Sequence, residues 1–504
     1  MTDAILNRLG WLEAPAGMGE KTDEIDGFIR GLARDGLKDV YLLGMGGSSL
    51  CSEVLRDVLG ARQHPNRLIV LDTTDERAVT SAADSLVPGQ SCFIVASKSG
   101  STLEVASLER YFWSVMSDAV PSPGQHFVAI TDPGTELVAH ADAVGYRHTF
   151  INPADIGGRY SALSLFGLVP AAVVGIPTAT LLDPAQQMAA ACRHDTATNP
   201  GLELGAFMGA HATDGRNKLT LLASRELEPL GAWIEQLVAE STGKLGRGVL
   251  PVVGEPVGDI SEYGTDRLFV AILTDDDAET RDTADALEAA GHPVYRIVTT
   301  PEALGAEFFR WEFATAVAGA VLGLNPFDEP DVRSAKLRTQ AQLDAHQATG
   351  AFRVAPPFSP GSSYAQREHQ ADTRAGSPGA YVAILDYLPA DPTRAFAINQ
   401  LRAELRRRLK TATTHGIGPR YLHSTGQYHK GGANTGVFVL LTADDRSATP
   451  VPGANYTFST LKQAQGFGDF DALVAGGRTV VHCHFDDPAA NFMAGLEEVL
   501  ASLS

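Results

Sequence analysis

Apolar runs of strand length alternate along this chain with amphipathic stretches of helix length. In the first third, four such runs end in turn residues, and they span 40–43, 67–71, 93–96 and 127–130. Short apolar runs without polar alternation are typical of strands that helices cover on both faces of a parallel sheet. Strands that alternate with helices in this way predict βαβ units, and therefore an α/β protein with a doubly wound parallel sheet.

A second series of the same kind begins near Lys218. It contains the strands LTLLAS, RLFVAIL and PVYRIV, with a helix predicted over 230–240 after the first of them. The two series look like duplicated modules, but their first strand-to-helix turns differ, since one reads GMGGSS and the other ASRELEPLG. Only the glycine-rich turn has the bare backbone that lets a phosphate approach closely.

The composition changes beyond about Ala335. Residues 351–380 are rich in Pro, Gly, Ser and Gln and are predicted to form a long loop or linker. A third αβ segment follows, with strands AYVAILDYL, GVFVLL and RTVVHCHF, a helix through LRAELRRRLK and a closing helix. We therefore predict an N-terminal extension, two doubly wound αβα domains and a C-terminal αβ segment that completes the site, spanning 1–29, 30–190, 191–335 and 336–504.

Charge and cysteine usage exclude several classes of function. The 504 residues include 60 acidic and 40 basic ones, a formal net charge of −20, which repels nucleic acids and anionic membranes. The four cysteines form no CxxC pair, and neither a signal sequence nor an apolar run of membrane-spanning length is apparent. We expect a cytoplasmic protein without nucleic-acid or membrane partners, in which local positive groups must attract any anionic substrate.

Two strand-to-helix turns carry hydrogen-bond donors suited to an anion. The turn GMGGSS opens a helix, whose first N–H groups are unpaired, although many such turns only begin a helix. The turn SKSGSTLE is more specific because it places four hydroxyls within six residues, and capping needs only one or two. This density predicts a phosphate-binding loop. The assigned phosphate-binding residues are Gly47, Ser48, Ser97, Lys98, Ser99 and Thr102.

These two turns resemble those of the sugar isomerase (SIS) fold, and SKSGSTLE is similar to its phosphate-binding loop. Four further segments resemble motifs of the glucose-6-phosphate isomerase family: GGRYSALS (157–164), QLVAESTGK (236–244), NPFDEPDVRSAK (325–336) and YLHSTGQYHKGG (421–432). The matches are islands spread over about residues 40–430. The C-terminal part resembles the isomerase half of bacterial transaldolase/phosphoglucose-isomerase fusions.

The resemblance implies interconversion of glucose 6-phosphate and fructose 6-phosphate with neither a metal nor an organic cofactor. It also implies a homodimer, because the family's catalytic histidine comes from the partner subunit, and a tethering to or association with a transaldolase. The residues that match the family's catalytic positions are Glu240, Arg159, His423 and Lys336. Further substrate contacts are assigned to Gly158, Gln236 and Glu104.

The chemistry of an aldose–ketose isomerisation suits these residue types. A single carboxylate, here Glu240, can remove the proton next to the carbonyl and return it to the neighbouring carbon. The enediolate intermediate is negative and is stabilised by a guanidinium, here Arg159. Ring opening moves a proton between the ring oxygen and the C1 hydroxyl, which suits an imidazole such as that of His423, with Lys336 assisting.

The sequence departs from the family's pattern in three places. His423 follows Lys336 in the chain, whereas in the better-known isomerases the histidine segment lies between the glutamate and the lysine. Glu329 stands where the family has glutamine, and a carboxylate close to Glu240 would raise its pKa, whereas one that faces water would not. Ser99 and Gly100 replace a threonine and a bulky residue.

Other interpretations stay open at this point. A non-catalytic SIS regulator that binds sugar phosphates needs the phosphate loop but not Glu240, Arg159 and Lys336 together. An isomerase that also acts on mannose 6-phosphate would use the same residues. A zinc site at His482 and His484 is disfavoured, because the two side chains share one face of a strand without a carboxylate partner.

Overall fold

The computed structural model describes residues 5–60, 64–194, 198–353, 374–445 and 447–485, together with 492, 493, 495–498 and 501. Most of the predicted linker over 351–380, and parts of the closing helix, lie outside these residues. The described chain forms three parallel β-sheets, flanked by helices. The alternation of strands and helices predicted from the sequence is therefore confirmed.

The first sheet has five strands in the order β2-β1-β3-β4-β5. Their bounds are β1 Asp39–Gly44, β2 Arg67–Leu71, β3 Ser91–Ala96, β4 Phe127–Thr131 and β5 His148–Ile151. In the register of the central pair, Leu43 lies opposite Val95 and Gly44 opposite Ala96, so β1 and β3 end side by side. Both candidate phosphate turns consequently leave the same edge of the sheet, at the switch point where ligands bind in open α/β sheets.

The second and third sheets repeat this topology with four strands each. The second has the order β7-β6-β8-β9, with β6 Lys218–Ala223, β7 Leu250–Val252, β8 Arg267–Leu273 and β9 Val294–Val298. The third has the order β11-β10-β12-β13, with β10 Tyr381–Asp386, β11 Ala412–Ile417, β12 Gly436–Ala443 and β13 Thr479–Phe485. The C-terminal segment is therefore a third module of the same strand order.

Helices connect successive strands and cover the sheets. Through the second sheet they are α1 Ala14–Gly17, α2 Thr22–Arg34, α3 Leu50–Leu59, α4 Glu76–Asp84, α5 Leu103–Ala119, α6 Glu136–Val144, α7 Leu165–Val173, α8 Thr178–Cys192, α9 Pro200–Thr213, α10 Leu230–Thr242, α11 Ala278–Ala289 and α12 Leu304–Val321. Around the third sheet they are α13 Val332–Thr349, α14 Pro392–Leu409, α15 Gly426–Gly431 and α16 Phe458–Ala475. In the described part of the chain, no helix combines the length and apolar character needed to cross a membrane.

The first and second sheets share one apolar core, and the N-terminal stretch packs into it. Helix α2 is amphipathic and buries Ile25, Phe28 and Leu32 at helical spacing. Trp11 is only 1% exposed, and its ring centroid lies 5.3 Å from that of Tyr160. The stretch before the first strand is thus anchored beside the GGRYSALS segment.

The third sheet is held against the second by buried polar contacts. Arg402 of α14 donates to the carbonyl oxygens of Gly254, at 2.7 Å, and Val253, at 2.9 Å. Glu255 accepts from the backbone N–H of Thr413 at 2.9 Å and forms an ion pair with Arg267. Since a buried charge that loses its partner is costly, these contacts favour one position of the third sheet.

Contacts to the first sheet come from the opposite side of the third module. Arg420 pairs with Asp72 at 3.1 Å, and Lys462 of α16 pairs with Asp75 at 2.9 Å. Asp75 also caps α4 through the N–H of Ala78. The third sheet is therefore fixed to both of the others, and the segment after β11 lies between them.

Candidate active site

A cleft of about 530 Å³ lies where the loops of the three modules meet. It brings together residues that are far apart in the chain: Gly47, Ser48, Lys98, Ser99, Thr102, Gly158, Arg159, Gln236, Glu240, Lys336 and His423. The remaining two predicted residues lie next to it. Ser97 contacts Thr102, with 3.0 Å between the hydroxyl oxygens, and Glu104 contacts His423. The site residues predicted from the motifs thus converge on one place.

The serine-rich loop between β3 and α5 keeps its hydroxyls free of capping. Thr102 is the N-cap residue of α5, yet its side chain makes no capping hydrogen bond. Ser101 instead donates to Ser99, with 3.2 Å between the hydroxyl oxygens. The turn is closed by Gly100 at φ +68°, a conformation that glycine adopts without strain. The loop therefore presents hydroxyls and a helix N-terminus to the cleft, as a phosphate site requires.

The glycines of the turn after β1 also allow close packing against neighbouring segments. A Cβ on Gly47 would lie 2.0 Å from the carbonyl oxygen of Gly158, so the two loops touch through bare backbone. A Cβ on Gly46 would lie 2.7 Å from Nε2 of Gln236. The bare backbone was expected to let a phosphate approach closely, and the packing of the neighbouring loops also demands it.

Glu240 lies in the last turn of α10 and is 9% exposed. Its Oε1 is 3.1 Å from Nη1 of Arg159, and the same nitrogen lies 3.1 Å from Oε2 of Glu329. Burial raises the pKa of Glu240, the Arg159 guanidinium opposes this effect, and Glu329 adds to it, so that the pKa lies above the ordinary value of 4.5. The expectation that Glu329, if close, raises the pKa of Glu240 is confirmed.

Arg159 is fixed in place by the loop after α12. Its Nη2 donates to the carbonyl oxygens of Pro326, at 2.8 Å, and Asp328, at 2.9 Å, while its Nε donates to Ser241 at 2.8 Å. The guanidinium is thus oriented by neutral groups, and its Nη1 is left for the carboxylates.

Lys244 is a neighbour that the sequence analysis did not single out. Its Nζ donates to the carbonyl oxygen of Asn325 at 2.6 Å and pairs with Asp328 at 2.7 Å. Burial and the nearby Arg159 guanidinium lower the pKa of Lys244 to about 8. Lys244 therefore stabilises the loop after α12, whose carbonyl oxygens accept hydrogen bonds from Arg159.

His423 reaches the cleft from the third module of the same chain. It ends the 3₁₀ turn Arg420–His423 that follows β11. Its carbonyl oxygen accepts from Nε2 of Gln236 at 2.7 Å, and that nitrogen is 3.3 Å from Oε2 of Glu240. The unusual chain order of the histidine segment is therefore compatible with a site formed within one polypeptide.

Lys336 and several residues that were not assigned to the site complete the lining. Lys336 is exposed on α13 and also borders a smaller cavity of about 220 Å³ that Glu104 and His423 share. These side chains include Arg8, Asp132 and Phe327. Asp132 pairs with Lys98 of the phosphate loop. Phe327 lies within the segment NPFDEPDVRSAK, whereas Arg8 and Asp132 lie outside the motifs, and only the fold shows that these two line the cleft.

His482 and His484 lie away from this cleft. Both rings are bonded to the hydroxyl of Thr442, at 2.7 and 3.0 Å, which confirms that they share one face of β13. In the part of the chain that the structure describes, no group of three or more His, Cys, Asp or Glu residues is arranged to hold a metal ion.

Comparison with known proteins agrees with this geometry. The phosphoglucose isomerase family model matches residues 16–260. A glucose-6-phosphate isomerase from Rubrobacter xylanophilus is 29% identical over 365 residues, which cover 61% of this chain and 83% of that enzyme. The chain is thus similar to the phosphoglucose isomerase family. The glucose-6-phosphate isomerase of Campylobacter jejuni is 32% identical over 211 residues, 41% of this chain, and the match spans about half (51%) of that relative's length.

Solved structures resemble this chain in fold. A hypothetical protein from Thermus thermophilus gives a TM-score of 0.62 at 24% identity, over 67% of this chain and 90% of that one. A glucose-6-phosphate isomerase from Chlamydia trachomatis gives 0.54 at 20% identity, over 66% of this chain and 74% of that one. The predicted class, α/β with SIS-type parallel sheets, is confirmed.

Proposed function

We propose that this protein interconverts glucose 6-phosphate and fructose 6-phosphate, with Glu240 as the group that carries the proton. The observation that carries the proposal is a buried carboxylate of raised pKa, 3.1 Å from a buried guanidinium, in a cleft that also contains a hydroxyl-rich helix N-terminus. The match to the phosphoglucose isomerase family model supports the same reaction. The roles of the individual residues are part of the proposal.

The phosphate of the substrate would bind to the loop from Ser97 to Thr102 and to Ser48. His423 would move the proton between the ring oxygen and the C1 hydroxyl, with Lys336 beside it, and so open the ring. Glu240 would then take the proton from C2 and return it to C1. The reaction is balanced, because the proton that leaves C2 is returned to C1 while the hydroxyl proton of O2 passes to O1, so that the product is an isomer of the substrate.

Nη1 of Arg159, which contacts both Glu240 and Glu329, is well placed for these reaction steps. When Glu240 takes the proton it loses its negative charge, and at the same moment a negative charge forms on the oxygens of the enediolate. The guanidinium, which neutral carbonyl groups hold in place, can then stabilise the new charge without moving. A preorganised cation of this kind lowers the barrier because it needs no rearrangement in the transition state.

The test is a coupled assay of fructose 6-phosphate conversion, in the presence of EDTA, with wild type, Glu240→Gln and the exposed control Glu226→Gln. We expect kcat to fall at least ~10²-fold for Glu240→Gln and to stay unchanged for the control. A wild type that binds the sugar phosphate without turning it over would support the regulator instead. Equal turnover by all three proteins would contradict the assignment of the base.

Whether the protein also acts on mannose 6-phosphate is tested by measuring how far this sugar phosphate competes with fructose 6-phosphate in the same assay.

The homodimer, the association with a transaldolase and the cytoplasmic location stay predictions. His423 lies in the cleft of its own chain, so a histidine shared between subunits no longer argues for the dimer. Gel filtration combined with the assay separates an active monomer from an active dimer.

A further inference from the structure

The cations that line the cleft differ in how far their charge is already neutralised. Arg159 contacts two carboxylates, and Lys98 pairs with Asp132. Among the described residues, Arg8 and Lys336 have no carboxylate at ion-pair distance, although both line the same cleft. At longer range Arg8 acts electrostatically on Asp132, and Lys336 on Glu104. In a chain of net charge −20, an unpaired cation in a cleft strongly affects where an anion binds.

Arg8 stands beside the phosphate loop. Its Nη1 lies 3.5 Å from the carbonyl oxygen of Ala154, and the Nζ of Lys98 donates to that same oxygen at 3.1 Å. Nη1 of Arg8 also donates to the carbonyl oxygen of Asn7 at 3.1 Å. Both acceptors are neutral carbonyl groups, so neither contact neutralises the charge of the guanidinium. The side chain is half-buried, which leaves part of it open to the cleft.

The segment that carries Arg8 is anchored and is not a loose terminus. Trp11, three residues further on, packs its ring 5.6 Å from Phe309 and 6.5 Å from Phe327. The N–H of Gly10 donates to the carbonyl oxygen of Asp155 at 3.1 Å. A Cβ on Gly10 would lie 2.4 Å from the Asp155 side chain, so the two segments are in direct contact. Arg8 is therefore held next to the loop that leads to Arg159.

We propose that Arg8 is a substrate-binding residue, which attracts and holds the phosphate group of the sugar phosphate at the Lys98–Ser99 end of the cleft. The inference rests on the proposed function and extends it. Asp132 offsets the charge of Lys98, so without Arg8 the loop offers a phosphate dianion mainly hydroxyls and backbone N–H groups. A guanidinium adds a permanent charge and two parallel donors matched to phosphate oxygens.

The experiment compares the steady-state kinetics of wild type, Arg8→Gln and Arg8→Lys, with Arg34→Gln as a matched control. Arg34 is exposed on α2 and pairs with Asp35. We expect Arg8→Gln to raise KM about tenfold, with kcat changed less than about twofold, and Arg8→Lys to retain part of the affinity. The inhibition constant of inorganic phosphate, used as a competitor, should rise by a similar factor, and kcat/KM should depend less on ionic strength.

Two outcomes would overturn the proposal. One is an unchanged KM together with an unchanged inhibition constant for phosphate in a folded Arg8→Gln protein. The other is a rise in KM that Arg34→Gln reproduces, since this would indicate a general effect of net charge. If wild type has no isomerase activity, the proposed function fails, and calorimetric titration with inorganic phosphate still tests Arg8. Equal affinity of wild type and Arg8→Gln for phosphate would then refute its role.

Discussion

Nε2 of His423 lies 2.9 Å from Oε1 of Glu104, although 319 residues separate the two in the chain. Burial by itself would raise the pKa of Glu104, but the neighbouring imidazole holds it below its ordinary value. Glu104 also accepts from Nε2 of Gln465 at 2.7 Å. Since Glu104 lies in the first turn of α5, two residues after Thr102, the position of the imidazole is tied to the phosphate loop.

The contact between Glu104 and His423 predicts strongly non-additive kinetics. We expect Glu104→Gln and His423→Gln each to lower kcat, with the histidine change the larger, because Glu104 acts by orienting the imidazole. The double variant should then be no slower than His423→Gln alone. The measurement is kcat for the four proteins of the cycle. Multiplication of the two single effects in the double variant would show that the residues act independently.

The proximity of Glu329 predicts a shift in the pH profile. Glu240 must be deprotonated to accept the proton, so kcat/KM rises with pH through its pKa. Glu329 raises that pKa, and its replacement in Glu329→Gln should therefore lower it and move the acid limb of the profile to lower pH. The profile of Glu226→Gln should coincide with that of wild type. An acid limb that stays in place in Glu329→Gln would contradict the electrostatic coupling.

The contact between the loops that carry Gly47 and Gly158 predicts that two glycine-to-alanine substitutions in these loops differ sharply in their effect on stability. Gly47→Ala places a methyl group 2.0 Å from a backbone oxygen, so we expect a clear loss of both melting temperature and activity. Gly157→Ala is the matched control, because the first atom its Cβ would meet is 3.7 Å away. Thermal unfolding of both variants checks the prediction. Equal melting temperatures would show that the loops can separate without cost.

A buried carboxyl group outside the cleft predicts how stability depends on pH. Glu312 of α12 is fully buried, and in the described part of the chain neither of its oxygens has a hydrogen-bond partner. Burial raises the pKa of Glu312 well above the ordinary 4.5. Above that ordinary value the native state keeps a proton that the unfolded chain releases, so the group lowers the free energy of unfolding as pH rises, by up to about 1.4 kcal/mol per pH unit.

Glu312→Gln removes this dependence, because an amide does not titrate. We expect its melting temperature to exceed that of wild type by an amount that grows from pH 5 to pH 8. Thermal unfolding of both proteins at several pH values measures the difference. A constant difference across this range would mean that Glu312 does not carry its proton in the native state.

Sequence patterns predicted most of the fold, and the exceptions have physical reasons. The buried runs of β1, β3, β6 and β8 are apolar enough to identify directly. The strands β5, β7 and β11 were missed, because β5 and β7 have only four and three residues and β11, ATTHGI, lacks an apolar run. Their places in the sheets are set by pairing with β4, β6 and β10, which periodicity along the chain does not reveal.

The candidate site likewise contains some residues that the sequence identified and others that only the tertiary structure brings to the cleft. Residues within family motifs, such as Arg159 and Glu240, were identified because the motif carries their spacing. Arg8 lies outside every motif and reaches the cleft only because Trp11 anchors its segment. The role of Glu104 as the partner of His423 depends on a contact between the first and third modules, which tertiary structure alone brings together.

The third sheet also determines how the site forms when the chain folds. Because the histidine and the glutamate belong to one polypeptide, their meeting is a unimolecular event with a high effective concentration. Recovery of activity after denaturation should therefore be first order, with a rate constant independent of protein concentration. A site assembled from two chains would instead recover more slowly on dilution, and would lose activity in cells that make little of the protein.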